Sequence, residues 1–150
     1  MRNNKGFSLV ELIIVIAIMA ILIGVMAPQL IKYIEKTNVS SDTQLCDSVK
    51  TAITTAMMDP AVINDTAAAI PTNSTMTNVS GGLGGGSFEL AVEEILGMQD
   101  TALDGQIKSY HTGQLQFAIV NSNSVHVQIA GSDASGSKGT GTNVTNIYVD

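Results

Sequence analysis

The sequence predicts an α+β fold in which a long N-terminal helix packs on a C-terminal antiparallel sheet of three to four strands. Three observations predict it. An apolar run without charges stands near the N-terminus, helical spacing of apolar residues follows it, and strand-like alternation appears near the C-terminus. With 150 residues, the chain has room for one hydrophobic core of modest size.

The first element is the apolar segment 7–31, in which Glu11 is the only charged residue. The uninterrupted part, residues 12–31, is about 20 residues long and spans roughly 30 Å as a helix, which matches the hydrocarbon thickness of a bilayer. A cleaved secretory signal is shorter, with an apolar part of about 7 to 15 residues. A plain membrane anchor fits the length but does not explain a carboxylate at Glu11.

The composition indicates that part of the apolar surface is buried in protein or in a membrane, and it argues against several classes of function. Hydrophobic residues make up 45% of the chain and charged residues only 13%, against roughly 25% charged in an average soluble protein. The net charge of −6 argues against binding to nucleic acid or anionic lipid. The single cysteine, Cys46, rules out an internal disulfide, and we expect it to be a small buried apolar residue.

The helical pattern continues beyond the apolar run. Lys32, Glu35 and Lys36 mark the exit from the membrane, and apolar residues then recur every four positions on one stripe: Leu45, Val49, Ile53 and Met57. Asp59-Pro60 ends the pattern. The sequence therefore predicts one helix from Phe7 to about Met58, lipid-facing first and amphipathic later.

The rest of the chain predicts a loop, a short helix and a sheet. Residues 59–87 are rich in small polar residues and glycine, as in a surface connection. Residues 88–98 suit a helix that Gly97 ends, with four side chains pointing inward: Phe88, Val92, Ile95 and Leu96. Strands are expected at 115–120, 125–130 and 144–149, the first two as a hairpin, with the stripe from Leu45 to Met57 covering the sheet.

No constellation of catalytic, cofactor-binding or metal-ligating residues stands out. The glycines near Gly82 and Gly84 lack the flanking strand and the Gly-Lys-Ser/Thr sequence of a phosphate loop. His111 and His126 are isolated. Asp100 with Asp104, and Asp133 in its glycine-rich loop, offer only weak calcium candidates: Asp133 has no second acid nearby.

The residues Lys5-Gly6-Phe7-Ser8-Leu9-Val10-Glu11 resemble the prepilin motif of type IV pilins and the related pseudopilins. The resemblance covers about the first third of the chain. It implies that the precursor is cut after Gly6, that Phe7 becomes an N-methylated first residue, and that Glu11 is the fifth mature residue. It also implies that Glu11 pairs with the N-terminal amine of a neighbouring subunit.

The implied cleavage changes the charges at the N-terminus in two ways. It removes Arg2 and Lys5, and it creates an α-ammonium group four residues before Glu11, about 6 Å away along a helix. Later in the helix, Pro28 cannot donate an N–H to the carbonyl of Gly24 and its ring crowds that carbonyl. We therefore expect residues 24–28 to be the weak point of the helix, kinked in the monomer and unwound in a filament.

The resemblance implies a structural protein and not an enzyme. The expected organisation is a leader at 1–6, an assembly helix at 7–31 and a head domain at 32–150. The major pilin of a type IVa-like pilus would be a membrane precursor first, a substrate of the prepilin peptidase/methyltransferase next, and finally part of a homo-oligomeric surface filament built by an assembly platform and ATPase. Such filaments serve adhesion and twitching motility.

Two alternatives stay open at this point. A pseudopilin of a type II secretion or competence system has the same N-terminal motif, and long surface filaments would distinguish the pilus from it. A membrane-tethered enzyme or binding domain would need a convergent acid, base or nucleophile set, which the C-terminal part lacks. The absence of the C-terminal cysteine pair common in Gram-negative pilins suggests a Gram-positive source.

Overall fold

A computed structural model of the protein describes residues 7–66, 70–71, 75–109, 113–120, 124–131 and 147–149. The chain forms two compact units, Met1–Ile34 and Glu35–Asp150. Helix α1 is Leu9–Ala56, a length of 48 residues, which confirms the long N-terminal helix. Asp59 then accepts the N–H of Ala61 at 2.8 Å and caps the short helix α2, Pro60–Asn64.

The first unit exposes its apolar surface. Every large apolar side chain from Phe7 to Ile34 is at least 51% exposed in the isolated chain. By length and composition, α1 is able to cross a membrane. Helix α1 continues through Pro28 in the single chain, so the expected unwinding of residues 24–28 stays a prediction about the filament.

The second unit contains a four-stranded antiparallel sheet with strand order β1-β2-β3-β4. The strands are β1 Thr77–Asn78, β2 Gly113–Val120, β3 Ser124–Gly131 and β4 Ile147–Val149. In the hairpin, alternate residues face each other on one side of the sheet: Leu115 with Ile129, Phe117 with Val127, and Ile119 with Val125. The α+β prediction is confirmed, and β1 is the strand that the sequence pattern did not show.

The core of this unit lies under the same side of the sheet. The second half of α1 contributes a buried stripe to it: Cys46, Val49, Ala52, Ile53 and Ala56. Leu45 and Met57, which the periodicity also placed inward, are only partly buried. The buried face of α1 is therefore centred on small residues at Cys46, Ala52 and Ala56 and not on Leu45 and Met57. Small side chains allow the backbone of α1 to approach its neighbours closely.

Helix α3, Ser87–Leu96, ends as predicted and faces the core mostly as predicted. Gly97 takes the left-handed conformation, with φ 69°, and its N–H donates to the carbonyl of Glu93 at 2.8 Å. Phe88 and Val92 are buried and Leu96 is partly buried. The prediction is wrong for Ile95, which is 46% exposed, because the core does not extend under the last turn of α3 on that side.

The interpretation of residues 59–87 as a surface connection is wrong in part. Besides α2 and β1, this segment supplies three buried core side chains: Val62, Val79 and Leu83. The N–H of Val79 donates to the carbonyl of Leu115 at 2.8 Å, which ties the segment to the sheet. Isolated apolar residues among polar ones carry no periodic signal, so sequence patterning could not detect them.

We expect Gly82→Ala to destabilise the folded second unit by about 1–3 kcal/mol, as overpacking commonly does. A Cβ at Gly82 would collide with the carbonyl oxygen of Asn78 and approach Thr77 Cγ2 to 2.9 Å. Gly105→Ala is the matched control, because a Cβ there meets nothing within 4 Å. Thermal unfolding of the detergent-solubilised full chain, followed by circular dichroism, measures both. Equal melting temperatures for the two variants would contradict the prediction.

Cys46 provides a second test, because burial, followed by the negative charges of Asp42 and Asp47, raises the pKa of its thiol from 9.0 to about 12. The folded state therefore holds the thiol proton more tightly than the unfolded state. The stability that the neutral thiol contributes is complete below pH 9 and is lost as the pH rises from 9 towards 12.

We therefore expect the Cys46 thiol to resist iodoacetamide at pH 8 in the native protein and to react once denaturant is added. Ser48→Cys is the matched control, since Ser48 is exposed on the same helix and its replacement should react in the native state. Mass spectrometry of the alkylated chain counts the modified thiols. Rapid native labelling of Cys46 in the unchanged protein would show that the thiol is accessible and contradict the prediction.

Candidate functional site

The N-terminal turn of α1 holds the carboxylate that the sequence singled out. Glu11 is the third residue of the helix, and its Oε2 accepts the backbone N–H of Ser8 at 3.0 Å. Ser8 directly precedes the helix, and its carbonyl accepts the N–H of Leu12 at 3.3 Å. This is half of a capping box, in which a Glu at the third helical position satisfies the N–H of the capping residue.

The capping bond orients the carboxylate and adds to the favourable field of the helix N-terminus. Sequence reasoning missed this role, although the pattern Ser8-x-x-Glu11 before an apolar run is its usual signature. The bond occupies one position on one carboxylate oxygen. An ionised carboxylate has about four acceptor positions, so the group remains able to accept a further donor.

The surroundings of Glu11 are apolar. Leu9, Val10 and Leu12 are each 60% exposed or more, and Phe7 is 94% exposed. A carboxylate in such a surface is costly to bury against lipid or another helix unless a positive charge accompanies it. The predicted cleavage site falls partly outside the described residues, since Gly6 lies outside them and Phe7 within them.

The other acidic residues of interest bind backbone amides within the second unit. Asp42 is fully buried and accepts the N–H groups of Lys108 at 2.9 Å and Ser109 at 2.7 Å, together with the hydroxyl of Ser109. Asp104 accepts the N–H of Leu115 at 2.9 Å. The bonds of Asp42 hold the segment before β2 against α1, and the bond of Asp104 joins that segment to β2. Because the partners of Asp42 are 66 and 67 residues away, local sequence pattern gave no sign of them.

One group of carboxylates in the described residues has metal-ligand geometry. Glu89, Glu93 and Asp100 each offer an oxygen, and these oxygens lie within 4.8 Å of one another. All three carboxylates accept backbone amides: Glu89 from Gly85 at 2.9 Å, Glu93 from Asp100 at 3.1 Å and Asp100 from Gly81 at 2.7 Å. The cluster therefore has a structural explanation, which is to fix the glycine-rich turn before α3.

The structure does not bring the remaining candidates together. Asp100, the weak calcium candidate, lies in this cluster, while Asp104 binds the start of β2. His126 lies on β3, where its Nε2 is 3.2 Å from Ser124 Oγ. His111 and Asp133 lie outside the described residues. Among the described residues, the feature that departs most from an ordinary soluble protein is thus the exposed apolar helix with Glu11 in its first turn.

Comparisons with known proteins point to the same N-terminal segment. Residues 1–27 match the prokaryotic N-terminal methylation motif. A fimbrial protein of Moraxella nonliquefaciens is 46% identical over 55 residues, which cover 37% of this chain and 36% of that protein. Two type IV major fimbrial proteins of Dichelobacter nodosus are 41% and 42% identical over 56 residues, again 37% of this chain and 36% and 35% of theirs.

The chain thus spans little more than a third of the length of the curated relatives it matches. No solved structure matches it. These relatives are fimbrial proteins by name, and none of those names denotes an enzyme. This chain therefore has a prokaryotic N-terminal methylation motif at residues 1–27, which includes the start of the exposed apolar helix, and over 55 to 56 residues it is similar to fimbrial proteins, two of them major subunits of the type IV class.

Proposed function

We propose that this protein is a structural subunit, the major pilin, of a type IV pilus. The precursor is inserted in the cytoplasmic membrane, cleaved after Gly6, N-methylated at Phe7 and polymerised through its N-terminal helix. The observation that carries the proposal is the exposed apolar surface from Phe7 to Ile34, with the carboxylate of Glu11 bound to the N–H of Ser8 in the first turn. Similarity to fimbrial proteins over 55 to 56 residues supports it.

Cohesion of the filament comes from apolar packing. Exposure of this apolar surface to water would cost about 25 cal/mol per Å², and the helix presents such surface on all its sides. In the precursor, lipid covers this surface. In the filament, the helices of other copies replace the lipid, so polymerisation exchanges one apolar environment for another and dispersion packing between helices decides the balance.

Register comes from the charges. Cleavage after Gly6 creates an ammonium group at Phe7. The carboxylate of Glu11 pairs with this ammonium group of a neighbouring subunit, while one of its oxygens accepts the N–H of Ser8 in its own chain. Either charge alone among apolar helices carries a large desolvation penalty, which the attraction within the pair offsets. The pairing therefore fixes the axial position of each copy relative to its neighbour.

Processing and assembly require partners. A prepilin peptidase/methyltransferase cuts and methylates the precursor, and an assembly platform with its ATPase extracts the helix from the membrane into a surface filament. Gly24 and Pro28 supply the segment that unwinds on assembly, because the missing N–H at Pro28 already removes one helical hydrogen bond there. The fimbrial relatives favour the pilus over a pseudopilus.

Mass spectrometry of sheared surface material tests the processing step. We expect a chain that begins at N-methylated Phe7 and lacks residues 1–6. A control strain without the prepilin peptidase should retain the full chain in the membrane fraction and yield no sheared material. Sheared filaments that contain an uncleaved chain would contradict the proposal, as would cleavage at another residue.

Replacement of Glu11 tests the assembly step. We expect Glu11→Ala to leave the protein in the membrane and to reduce filament yield at least tenfold, because the neighbouring ammonium loses its partner. Glu94→Ala is the matched control, since Glu94 is an exposed carboxylate on α3 outside the apolar helix. Immunoblots of membrane and sheared fractions measure both variants. Normal filament yield from Glu11→Ala would refute the assigned role of this carboxylate.

A further inference from the structure

The chain contains five Asn-x-Ser/Thr tripeptides, the acceptor motif for N-linked glycans, and the proposed assembly uses none of them. They begin at Asn38, Asn64, Asn73, Asn78 and Asn143. A transferase has to reach both the asparagine amide and the hydroxyl two residues later, because both groups belong to the motif. The local structure of each tripeptide therefore decides whether it can react.

Two of the motifs have a structure that opposes the reaction. Asn38 and Ser40 lie inside α1, where residues two apart are about 200° apart around the helix, so the amide and the hydroxyl point to different sides. Asn78 lies in β1, its Oδ1 accepts Gln116 Nε2 at 3.1 Å, and the next residue, Val79, is fully buried. Asn73 and Asn143 lie outside the described residues.

The motif at Asn64 has the exposure that the reaction requires. Asn64 is the last residue of α2, and its side chain and that of Thr66 are both exposed. Asp65, between them, leaves the helix in an extended conformation, with φ −84° and ψ 100°. Extended backbone is the conformation that directs side chains two residues apart to one side of the chain.

The amide of Asn64 keeps a hydrogen that glycosylation can replace. Its Nδ2 donates to the carbonyl of Pro60 at 2.7 Å, and a side-chain amide has two hydrogens to donate. The neighbouring Ile63 is 63% exposed to water. A glycan is bulky and solubilising, so one attached to Asn64 would shield this apolar side chain from other molecules.

We propose that Asn64 is an N-glycosylation site, modified by a transferase that uses a lipid-linked oligosaccharide diphosphate as donor. Nδ2 of Asn64 forms a bond to the anomeric carbon of the sugar, and the bond from that carbon to the diphosphate oxygen breaks. The lipid diphosphate leaves with the electron pair, and a base of the transferase takes the amide proton. The inference rests on the proposed function in one respect, since it needs the second unit to be exported across the cytoplasmic membrane.

Mass spectrometry of peptides from the full chain, purified from the membrane and sheared fractions of its native host, tests the site. We expect the peptide that contains Asn64 to carry an oligosaccharide, and Asn64→Gln to lose that mass completely. Thr66→Ala should lose it as well, although Asn64 is unchanged, whereas Thr66→Ser should keep it because serine preserves the hydroxyl of the motif. Asn38→Gln is the matched control and should also keep it.

An Asn64 peptide without a glycan in both fractions of the unchanged protein would overturn the inference, as would a glycan that persists in Thr66→Ala. If Asn64→Gln accumulates poorly, the comparison of Thr66→Ala with Thr66→Ser decides, since both variants keep the Asn64–Pro60 bond. Filaments built from unglycosylated chains would refute the site and leave the pilin role standing. A glycosylated chain that stays in the membrane and never forms filaments would refute the pilin role and leave the site standing.

Discussion

The exposed apolar surface of α1 from Phe7 to Ile34 is the constraint on which the rest of this protein depends. Each large apolar side chain there is at least 51% exposed, and water is a poor solvent for such a surface. Lipid or other helices would remove this surface from water. Glu11 is the only charged residue from Phe7 to Ile31, so the proposed transfer from lipid into a filament depends on how this carboxylate, which accepts the N–H of Ser8, is neutralised.

The second unit depends on a different kind of interaction, since several of its described backbone amides lie outside the helices and strands. Buried carboxylates compensate for this by satisfying backbone amides over long sequence distances. Asp42 on α1 binds Lys108 and Ser109 just before β2, and Asp100 binds Gly81 in the turn before α3. Bonds of amides to charged acceptors are stronger than neutral ones, so a few acids fix loops that apolar packing alone would leave loose.

The sequence pattern predicted the elements whose apolar residues recur at regular intervals, and it did not predict the contacts between distant segments. The helix, the hairpin from Gly113 to Gly131 and the stop at Gly97 were predictable, because periodicity and turn residues encode them locally. The buried side chains of Val79 and Leu83 and the bonds of Asp42 were not, since distant chain segments create those environments. The Ser8–Glu11 cap is encoded locally, by a serine three residues before a glutamate at the start of an apolar run.

Many acids of the second unit serve the fold itself. The chain has 13 acidic residues, and six of those that the structure describes after Ile34 accept backbone amides of their own chain: Asp42, Asp59, Glu89, Glu93, Asp100 and Asp104. Removing such an acid would weaken the fold before it affected any interface.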